Sequence, residues 1–192
     1  ARKRTLAAEG KSAFGARITF KMADALVFKK IRNRFGGCLQ GAMTASAMMN
    51  LEVARFFADI GIPVYDCYGL TETSPAISIN CPAANKPGSV GRPIEQVSVW
   101  IDTSQGQPDS DEGEIVVYGP NIMQGYHNNP QATRAVMTPD GGLRTGDQGR
   151  LDEDGFLFIT GRIKEQFKLE NGKYVFPAAL EEQIRMLPWI EN

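Results

Sequence analysis

Hydrophobic residues recur at helical spacing in two stretches of the first third of the chain. Between Met22 and Phe35, apolar residues share one face and basic residues take the other directions, which is typical of an amphipathic helix that ends at Gly36–Gly37. A second apolar row follows Asn50, a favourable N-cap residue, and stops at Gly61. The pattern therefore predicts two helices in this part of the chain.

The rest of the chain carries short apolar runs that are typical of strands. Ile62–Tyr65 is the first, and the polar loop Tyr68–Thr73 follows it, an order that predicts an α/β arrangement with ligands beyond the carboxyl end of the strand. From Lys86 onward, glycine and proline separate further runs at the spacing of a small β-barrel or sandwich. These runs are Val97–Ile101, Glu114–Tyr118 and Phe156–Thr160, and Asp152–Gly155 is predicted to form a hairpin turn.

These changes of pattern predict three segments. We expect residues 1–85 to be the end of an α/β domain, residues 86–161 to be a β-barrel subdomain, and residues 162–192 to be a hinge followed by the start of another domain. The predicted fold class is therefore α/β with a small β-barrel subdomain.

Composition and charge narrow the function. The 192 residues are 42% hydrophobic and 22% charged, which is enough for a core and too mixed for a disordered or fibrous chain. Since 21 Lys and Arg balance 22 Asp and Glu, no overall positive field favours nucleic acid. The basic first helix allows contact with a membrane surface, although an ordinary solvated helix explains it more simply.

Cysteine and apolar content bear on the compartment. Three cysteines without C-x-x-C spacing and a single histidine favour a reducing environment and argue against a zinc site. No apolar run approaches 18 residues, so neither a membrane span nor a signal peptide is predicted. We expect a cytoplasmic protein that can also associate with a membrane.

Two motifs carry groups that suit a nucleotide. The Tyr68 ring can stack on a base, the Thr71 hydroxyl can donate to a phosphate, and Glu72 can lie beside phosphates only if a divalent cation such as Mg²⁺ bridges the negative charges. Downstream, Asp147 can accept both hydroxyls of a ribose. Taken alone, the first motif fits a surface turn equally well and Asp147 fits a turn-capping aspartate better. Together and in this order they favour a nucleotide site.

The whole series of motifs resembles the adenylate-forming superfamily, which includes acyl-CoA and aryl-CoA synthetases. The shared motifs are Tyr68–Glu72, Gly113–Ile115, Gly119–Thr133, Arg144–Asp147, Gly161–Lys164 and Pro177–Glu181. Within the superfamily, Ala25–Arg32 and Glu165–Pro177 look most like the long-chain fatty acyl-CoA synthetases.

The resemblance implies a set of functional residues. The implied nucleotide-binding residues are Ala47, Tyr68, Gly69, Thr71, Asp147 and Arg162. In particular, Tyr68 is expected to stack on adenine, Thr71 to contact the α-phosphate, and Asp147 to hold the ribose hydroxyls. Thr71, Glu72 and Lys164 are the implied catalytic residues, with Glu72 as the Mg²⁺ ligand and Lys164 as the hinge between two domain orientations.

The implied reaction is the activation of a fatty acid by ATP to acyl-AMP, with Mg²⁺ as cofactor, followed by thioester formation with CoA. Two alternatives stay open: a fatty acyl-AMP ligase that hands the acyl group to a carrier protein, and a non-catalytic nucleotide-binding module. The family's lysine-bearing phosphate loop and its adenylating lysine have no counterpart in this sequence. We therefore expect an internal fragment of a longer enzyme that is inactive alone.

The sequence departs from the family pattern at two places. Thr44–Met48 replaces a stretch that is usually glycine-rich, which predicts a narrower or reshaped acyl site. Gly142 replaces a usual aromatic residue, which predicts a loss of packing.

Overall fold

A computed structural model describes residues 20–45, 49–105, 110–165, 167–168 and 174–175, together with Pro177, Glu181 and Ile184. The chain divides into two compact units, Ala1–Tyr65 and Asp66–Asn192. The three predicted segments are not tested by this division and stay predictions.

Both predicted helices of the first unit are confirmed. The first contains a π-helical turn, Asp24–Phe28, and continues as α1, Lys29–Arg34. The Arg32 guanidinium ties its two parts together by hydrogen bonds of 2.7 and 3.0 Å to the Asp24 carboxylate. The strand β1, Ala42–Thr44, follows.

The second helix, α2, spans Leu51–Asp59. Asn50 caps it as predicted, because its side-chain oxygen accepts hydrogen bonds of 2.9 and 3.3 Å from the first-turn amides. Its apolar row is unevenly buried: Val53 and Phe56 are 39% and 46% exposed, whereas Ile60 is 1% exposed. The strand β2, Val64–Tyr68, then begins two residues later than predicted.

Among the described residues, the second unit contains two main antiparallel sheet regions and one short strand pair. The end of β2 pairs with β3, Ser78–Ile79, which pairs with β4, Arg92–Pro93. The larger sheet has the order β5 (Ser98–Asp102), β6 (Gly113–Tyr118), β7 (Leu143–Leu151) and β8 (Leu157–Arg162). Helix α3, Pro130–Val136, lies between β6 and β7 in the chain. The short pair β9 (Phe167–Lys168) and β10 (Tyr174–Val175) follows.

The larger sheet bears on two predictions. A closed barrel requires the first and last strands of a sheet to pair, and no pairing of β5 with β8 is found among the described strands. Leu157 of β8 instead shares backbone hydrogen bonds with Val90 and Gly91. The described strands therefore show a mixed α/β structure without the predicted small barrel. The hairpin turn at Asp152–Gly155 is confirmed, because the Asp152 carbonyl accepts the Gly155 amide and its side chain accepts the Phe156 amide between β7 and β8.

The core of the second unit is formed by side chains from both sheet regions. Its buried members are Tyr68, Ile77, Val90, Val97, Ile115, Val117 and Leu157. Because Tyr68 is the last residue of β2, this core fixes the point where the polar loop Tyr68–Thr73 leaves the sheet. No helix in the described part of the chain has the length and apolarity to cross a membrane.

Gly142 does not leave the packing defect that the sequence predicted. A Cβ at this position would lie 2.7 Å from two ring carbons of Tyr118 and 2.8 Å from the Thr138 hydroxyl. The Tyr118 ring therefore occupies the space beside the glycine. The Gly142 amide also donates a 2.7 Å hydrogen bond to that hydroxyl.

Candidate active site

The end of β2 reaches a buried carboxylate on β7. Tyr68 is 9% exposed, and its hydroxyl donates a 2.5 Å hydrogen bond to Oδ2 of Asp147. Asp147 is 4% exposed and lies opposite Arg162 of β8, whose Nε is 3.3 Å from Oδ1. A carboxylate has about four acceptor positions. Acceptor positions on Asp147 therefore remain for the hydroxyls of a ligand.

Burial and hydrogen bonding act in opposite directions on Asp147. Burial is the largest effect and raises the pKa of this carboxyl, whereas the Tyr68 hydroxyl and the Arg162 charge lower it. Burial and the neighbouring carboxylate together raise the pKa of the Tyr68 phenol. The phenol therefore stays protonated and remains a donor at neutral pH.

Thr145 holds the backbone that carries Asp147. Its hydroxyl donates a 2.8 Å hydrogen bond to the Ile115 carbonyl of β6 and accepts the Asp147 amide at 3.1 Å. The Gly146 amide donates to the Glu114 carboxylate at 3.2 Å. Asp147 is thus a strand residue held by its neighbours, and the turn-capping interpretation does not apply.

The acidic loop, residues 69–76, folds back tightly after β2. A Cβ on Gly69 would lie 1.7 Å from the Pro75 carbonyl oxygen, so this approach of backbone to backbone requires glycine. Thr73 is fully buried, and its hydroxyl exchanges hydrogen bonds of 3.0 Å with both backbone groups of Leu70. The loop is therefore held in a compact conformation by its own contacts, and Gly69 has a packing role besides its predicted nucleotide contact.

Two polar side chains of this loop have hydrogen-bonding groups without a partner among the described residues. Thr71 is exposed, and its hydroxyl has no hydrogen-bond partner among the described residues. Glu72 is half-buried; its Oε1 accepts a 2.8 Å hydrogen bond from the Tyr126 hydroxyl, while Oε2 has no partner within the described ranges. A donor and an acceptor are thus available to a ligand.

The residues present fit a cation that arrives with a phosphate rather than one held by the protein alone. The described part of the chain has no group of three or more His, Cys, Asp or Glu that could hold a metal ion. Mg²⁺ at phosphate sites typically takes one or two carboxylates and completes its shell with phosphate and water oxygens. The open Oε2 of Glu72 suits that kind of binding.

The other predicted site residues have different outcomes. Arg162 is brought to Asp147, as described above. Lys164 is exposed in the short turn Ile163–Glu165 after β8, and its hinge role stays a prediction. Ala47 lies outside the described residues. The Tyr68 ring packs in the core, and its stacking on adenine also stays a prediction.

Two residues that hold the acidic loop had no predicted role. Tyr126 contacts Glu72, and the Asn121 side chain donates to the Thr73 and Ala76 carbonyls at 2.9 and 2.7 Å. Both lie within the range of the motif Gly119–Thr133; the motif includes Tyr126, leaves position 121 unspecified, and indicates a partner for neither residue. Their partners are 45 to 54 residues away in the chain, a distance that local sequence patterns do not reveal.

The second unit is thus a mixed α/β structure in which Tyr68 bonds to the buried Asp147 carboxylate and Oε2 of Glu72 has no partner among the described residues. Residues 10–127 match the family model described as AMP-binding enzyme. The chain belongs to this family.

Curated relatives agree with this assignment. Long-chain-fatty-acid–CoA ligase FadD15 of Mycobacterium bovis is 40% identical over 169 residues, which are 88% of this chain and 27% of the relative. Long-chain-fatty-acid–CoA ligase ACSBG2 of Xenopus laevis is 36% identical over 177 residues, which are 90% of this chain and 23% of the relative. The chain spans about a quarter of the length of these relatives.

Solved structures show the same fold. O-succinylbenzoate coenzyme A synthetase (MenE) from Bacillus subtilis, in complex with ATP and magnesium ion, aligns with a TM-score of 0.70 at 30% identity, covering 79% of this chain and 32% of that chain. The same enzyme in complex with its acyl-adenylate intermediate OSB-AMP aligns with a TM-score of 0.72 at 30% identity, covering 80% and 32%.

Proposed function

We propose that the protein to which this chain belongs activates a fatty acid with ATP and transfers the acyl group to CoA. In the first step, a carboxylate oxygen of the acid attacks the α-phosphorus of ATP, and pyrophosphate leaves to give acyl-AMP. In the second step, the CoA sulfur, having lost its proton, attacks the acyl carbon, and AMP leaves. The long-chain-fatty-acid–CoA ligases among the relatives support the choice of acid and thiol.

The observation that carries the proposal is the link between the two carboxylates. Tyr68 binds Asp147 directly, and Glu72 follows Tyr68 by four residues. Four residues span at most about 14 Å between Cα atoms, so the chain keeps the two carboxylates in the same region of the second unit. Asp147 is proposed to accept the ribose hydroxyls, while Thr71 donates to the α-phosphate.

Glu72 is proposed to hold Mg²⁺ through Oε2. When bound there, Mg²⁺ would neutralise part of the charge on the phosphates. Without a cation, the Glu72 carboxylate would repel the triphosphate. Arg162 favours the ionised form of Asp147, because its positive charge lowers the pKa of that carboxyl against the larger, opposing effect of burial.

The proposal is tested with Glu72→Gln in the natural full-length protein. The amide keeps the shape of the side chain and loses the charge, so we expect Mg²⁺-dependent exchange of pyrophosphate into ATP to fall by roughly 10²-fold or more. Glu95→Gln, at an exposed carboxylate on another loop, is the matched control and should exchange at the wild-type rate. Wild-type exchange by a folded Glu72→Gln protein would contradict the proposal.

The acceptor is tested separately. Acyl-AMP formation followed by transfer to free CoA supports the ligase, whereas transfer only to a phosphopantetheine-bearing carrier protein would replace CoA in the proposal. Binding of ATP without any pyrophosphate exchange in the wild type would instead indicate a non-catalytic nucleotide-binding module.

A further inference from the structure

The acidic loop is held from outside by a second segment of the same unit. We call residues 119–129 the clamp segment. Besides the two hydrogen bonds from Asn121, the Met123 amide donates a 2.8 Å hydrogen bond to the Glu72 carbonyl. The Tyr126 hydroxyl donates to the Glu72 carboxylate, also at 2.8 Å. Glu72 is therefore fixed at its backbone and at its side chain by the same segment.

The clamp segment is itself anchored at its far end. The Tyr126 amide donates a 2.9 Å hydrogen bond to the Thr133 hydroxyl, which in turn donates to the Asn129 carbonyl at 3.0 Å. Asn129 also caps α3 by accepting the Ala132 amide at 3.0 Å. Hydrogen bonds thus connect the Tyr126 backbone to the N-terminal turn of α3. This fixes the backbone position from which the phenol side chain extends.

The hydrogen bond from Tyr126 uses one oxygen of the Glu72 carboxylate and leaves the other available to a ligand. Oε1 is taken by the phenol, and Oε2 stays open within the described residues. A glutamate side chain has three rotatable bonds, and ordering it only when a ligand arrives costs binding free energy. A hydroxyl that holds the carboxylate beforehand reduces this cost.

We propose that Tyr126 is a positioning residue that orients the Glu72 carboxylate for the divalent cation accompanying the triphosphate. This inference rests on the proposed function, because it assumes that Glu72 meets such a cation.

The test is Tyr126→Phe in the natural full-length protein. The variant removes one hydroxyl and keeps a ring that is 38% exposed in the wild type, so the fold is expected to persist. We measure binding of the complex of Mn²⁺ with α,β-methylene-ATP by electron paramagnetic resonance, and binding of AMP in EDTA by calorimetry. We expect the first affinity to fall about three- to tenfold, the range of one lost hydrogen bond, and the second to stay unchanged.

Matched variants separate positioning from general damage. Tyr118→Phe removes a phenol hydroxyl that donates to another carboxylate, Asp140, at 3.1 Å, and should change neither affinity. Tyr126→His restores a ring N–H donor and should recover part of the lost cation-dependent affinity. Adding Tyr126→Phe to Glu72→Gln should cause no further loss, because the group being positioned is already gone.

The outcomes distinguish this inference from the proposed function. If Glu72→Gln leaves binding of the Mn²⁺ complex intact, the cation role of Glu72 fails, and the inference fails with it. If Glu72→Gln weakens that binding and Tyr126→Phe does not, the inference alone is overturned. An equal loss of AMP affinity in Tyr126→Phe would also overturn it, because the hydroxyl would then support the fold in general.

Discussion

Asp147 is a buried carboxylate whose protonation state depends on burial, on the Tyr68 hydroxyl and on nearby charges. Burial raises its pKa, and the hydrogen bond from Tyr68 is the larger of the two effects that lower it again. Because the folded state binds this proton more tightly than an exposed aspartate does, the contribution of Asp147 to stability grows as the pH falls through its folded pKa. For ligand binding the direction is opposite, since the ionised form is the better acceptor for ribose hydroxyls.

We therefore expect Tyr68→Phe to raise the pKa of Asp147 further. The carboxyl would stay protonated to a higher pH, so the rise in KM for ATP on the acid side should move to higher pH in the variant. The pKa is measured by ¹³C NMR titration of labelled aspartate, and the KM profile gives an independent measurement.

Tyr118→Phe is the control for this prediction. The Tyr118 hydroxyl helps to lower the pKa of Asp140, after the larger effect of the Thr138 hydroxyl. Its removal should raise the pKa of Asp140 and leave that of Asp147 unchanged. An unchanged Asp147 titration in Tyr68→Phe would show that the phenol does not control the carboxyl.

At the scale of elements, an ion cluster joins three strands of the larger sheet. Arg144 of β7 lies 2.5 Å from the Glu114 carboxylate of β6 and 2.9 Å from the Asp102 carboxylate of β5. Asp102 is 7% exposed, whereas the Arg144 side chain is 37% exposed. The pKa of Asp102 is lowered, first by its hydrogen bond with Ser104 and then by Arg144, against an opposing effect of burial.

Arg144→Gln is expected to reduce the free energy of unfolding by about 1–3 kcal/mol at pH 7. This loss lies between that of an exposed ion pair and that of removing one partner of a buried pair. Since the pKa of Asp102 is depressed in the folded state, its stabilisation is present above its ordinary pKa and is lost as the pH falls through the folded pKa. The difference between variant and wild type should therefore shrink near pH 3. Urea unfolding at both pH values measures it.

An exposed arginine on α3 provides the comparison. Arg134→Gln should change the free energy of unfolding by less than about 0.5 kcal/mol at either pH. A loss in Arg144→Gln that is the same at pH 7 and near pH 3 would show that the charges of the cluster do not cause it.

Elements set by contacts between residues close in the chain could be predicted from the sequence. Elements that depend on pairing with distant strands could not. Asn50 caps α2 because its side chain bonds to amides two and three residues away, which is a local pattern. Strand β7 was not predicted, because Gly146 and Gly149 interrupt its alternation and glycine is disfavoured in strands. The barrel was predicted from strand spacing, which does not tell whether the edge strands meet.

The motifs indicated which residues belong to the candidate site, and their chemical roles stay predictions. The contacts among these residues could not be predicted. Residue types and order indicated Glu72 and Asp147. Their partners, Tyr126 and Tyr68, are 54 and 79 residues away, and only the folded sheet brings them together.

At the scale of the whole molecule, the predicted hinge at Lys164 implies that two domains change their relative orientation. Lys164→Pro fixes φ within the turn after β8 without touching the contacts of Asp147 or Glu72. In the full-length protein, we expect one half-reaction to proceed nearly normally and the other to slow, because only one domain orientation would be reached. Rates of acyl-AMP formation and of thioester formation are measured separately.

Lys164→Ala is the control, since it removes the side chain and leaves the backbone free to rotate. It should affect the two half-reactions less unequally than Lys164→Pro does. Equal slowing of both half-reactions by Lys164→Pro would argue against a pivot at this residue.

The hydrogen bond between Tyr68 and Asp147 also sets an order of events during synthesis of the protein. The two residues are 79 positions apart, and translation at about 5–20 residues per second separates their appearance by roughly 4–16 seconds. Throughout that interval the acidic loop exists without the carboxylate proposed to hold the ribose. A nucleotide held through Asp147, as proposed, would therefore not guide the early part of the chain into its fold. It would stabilise the second unit only after β7 has joined the sheet.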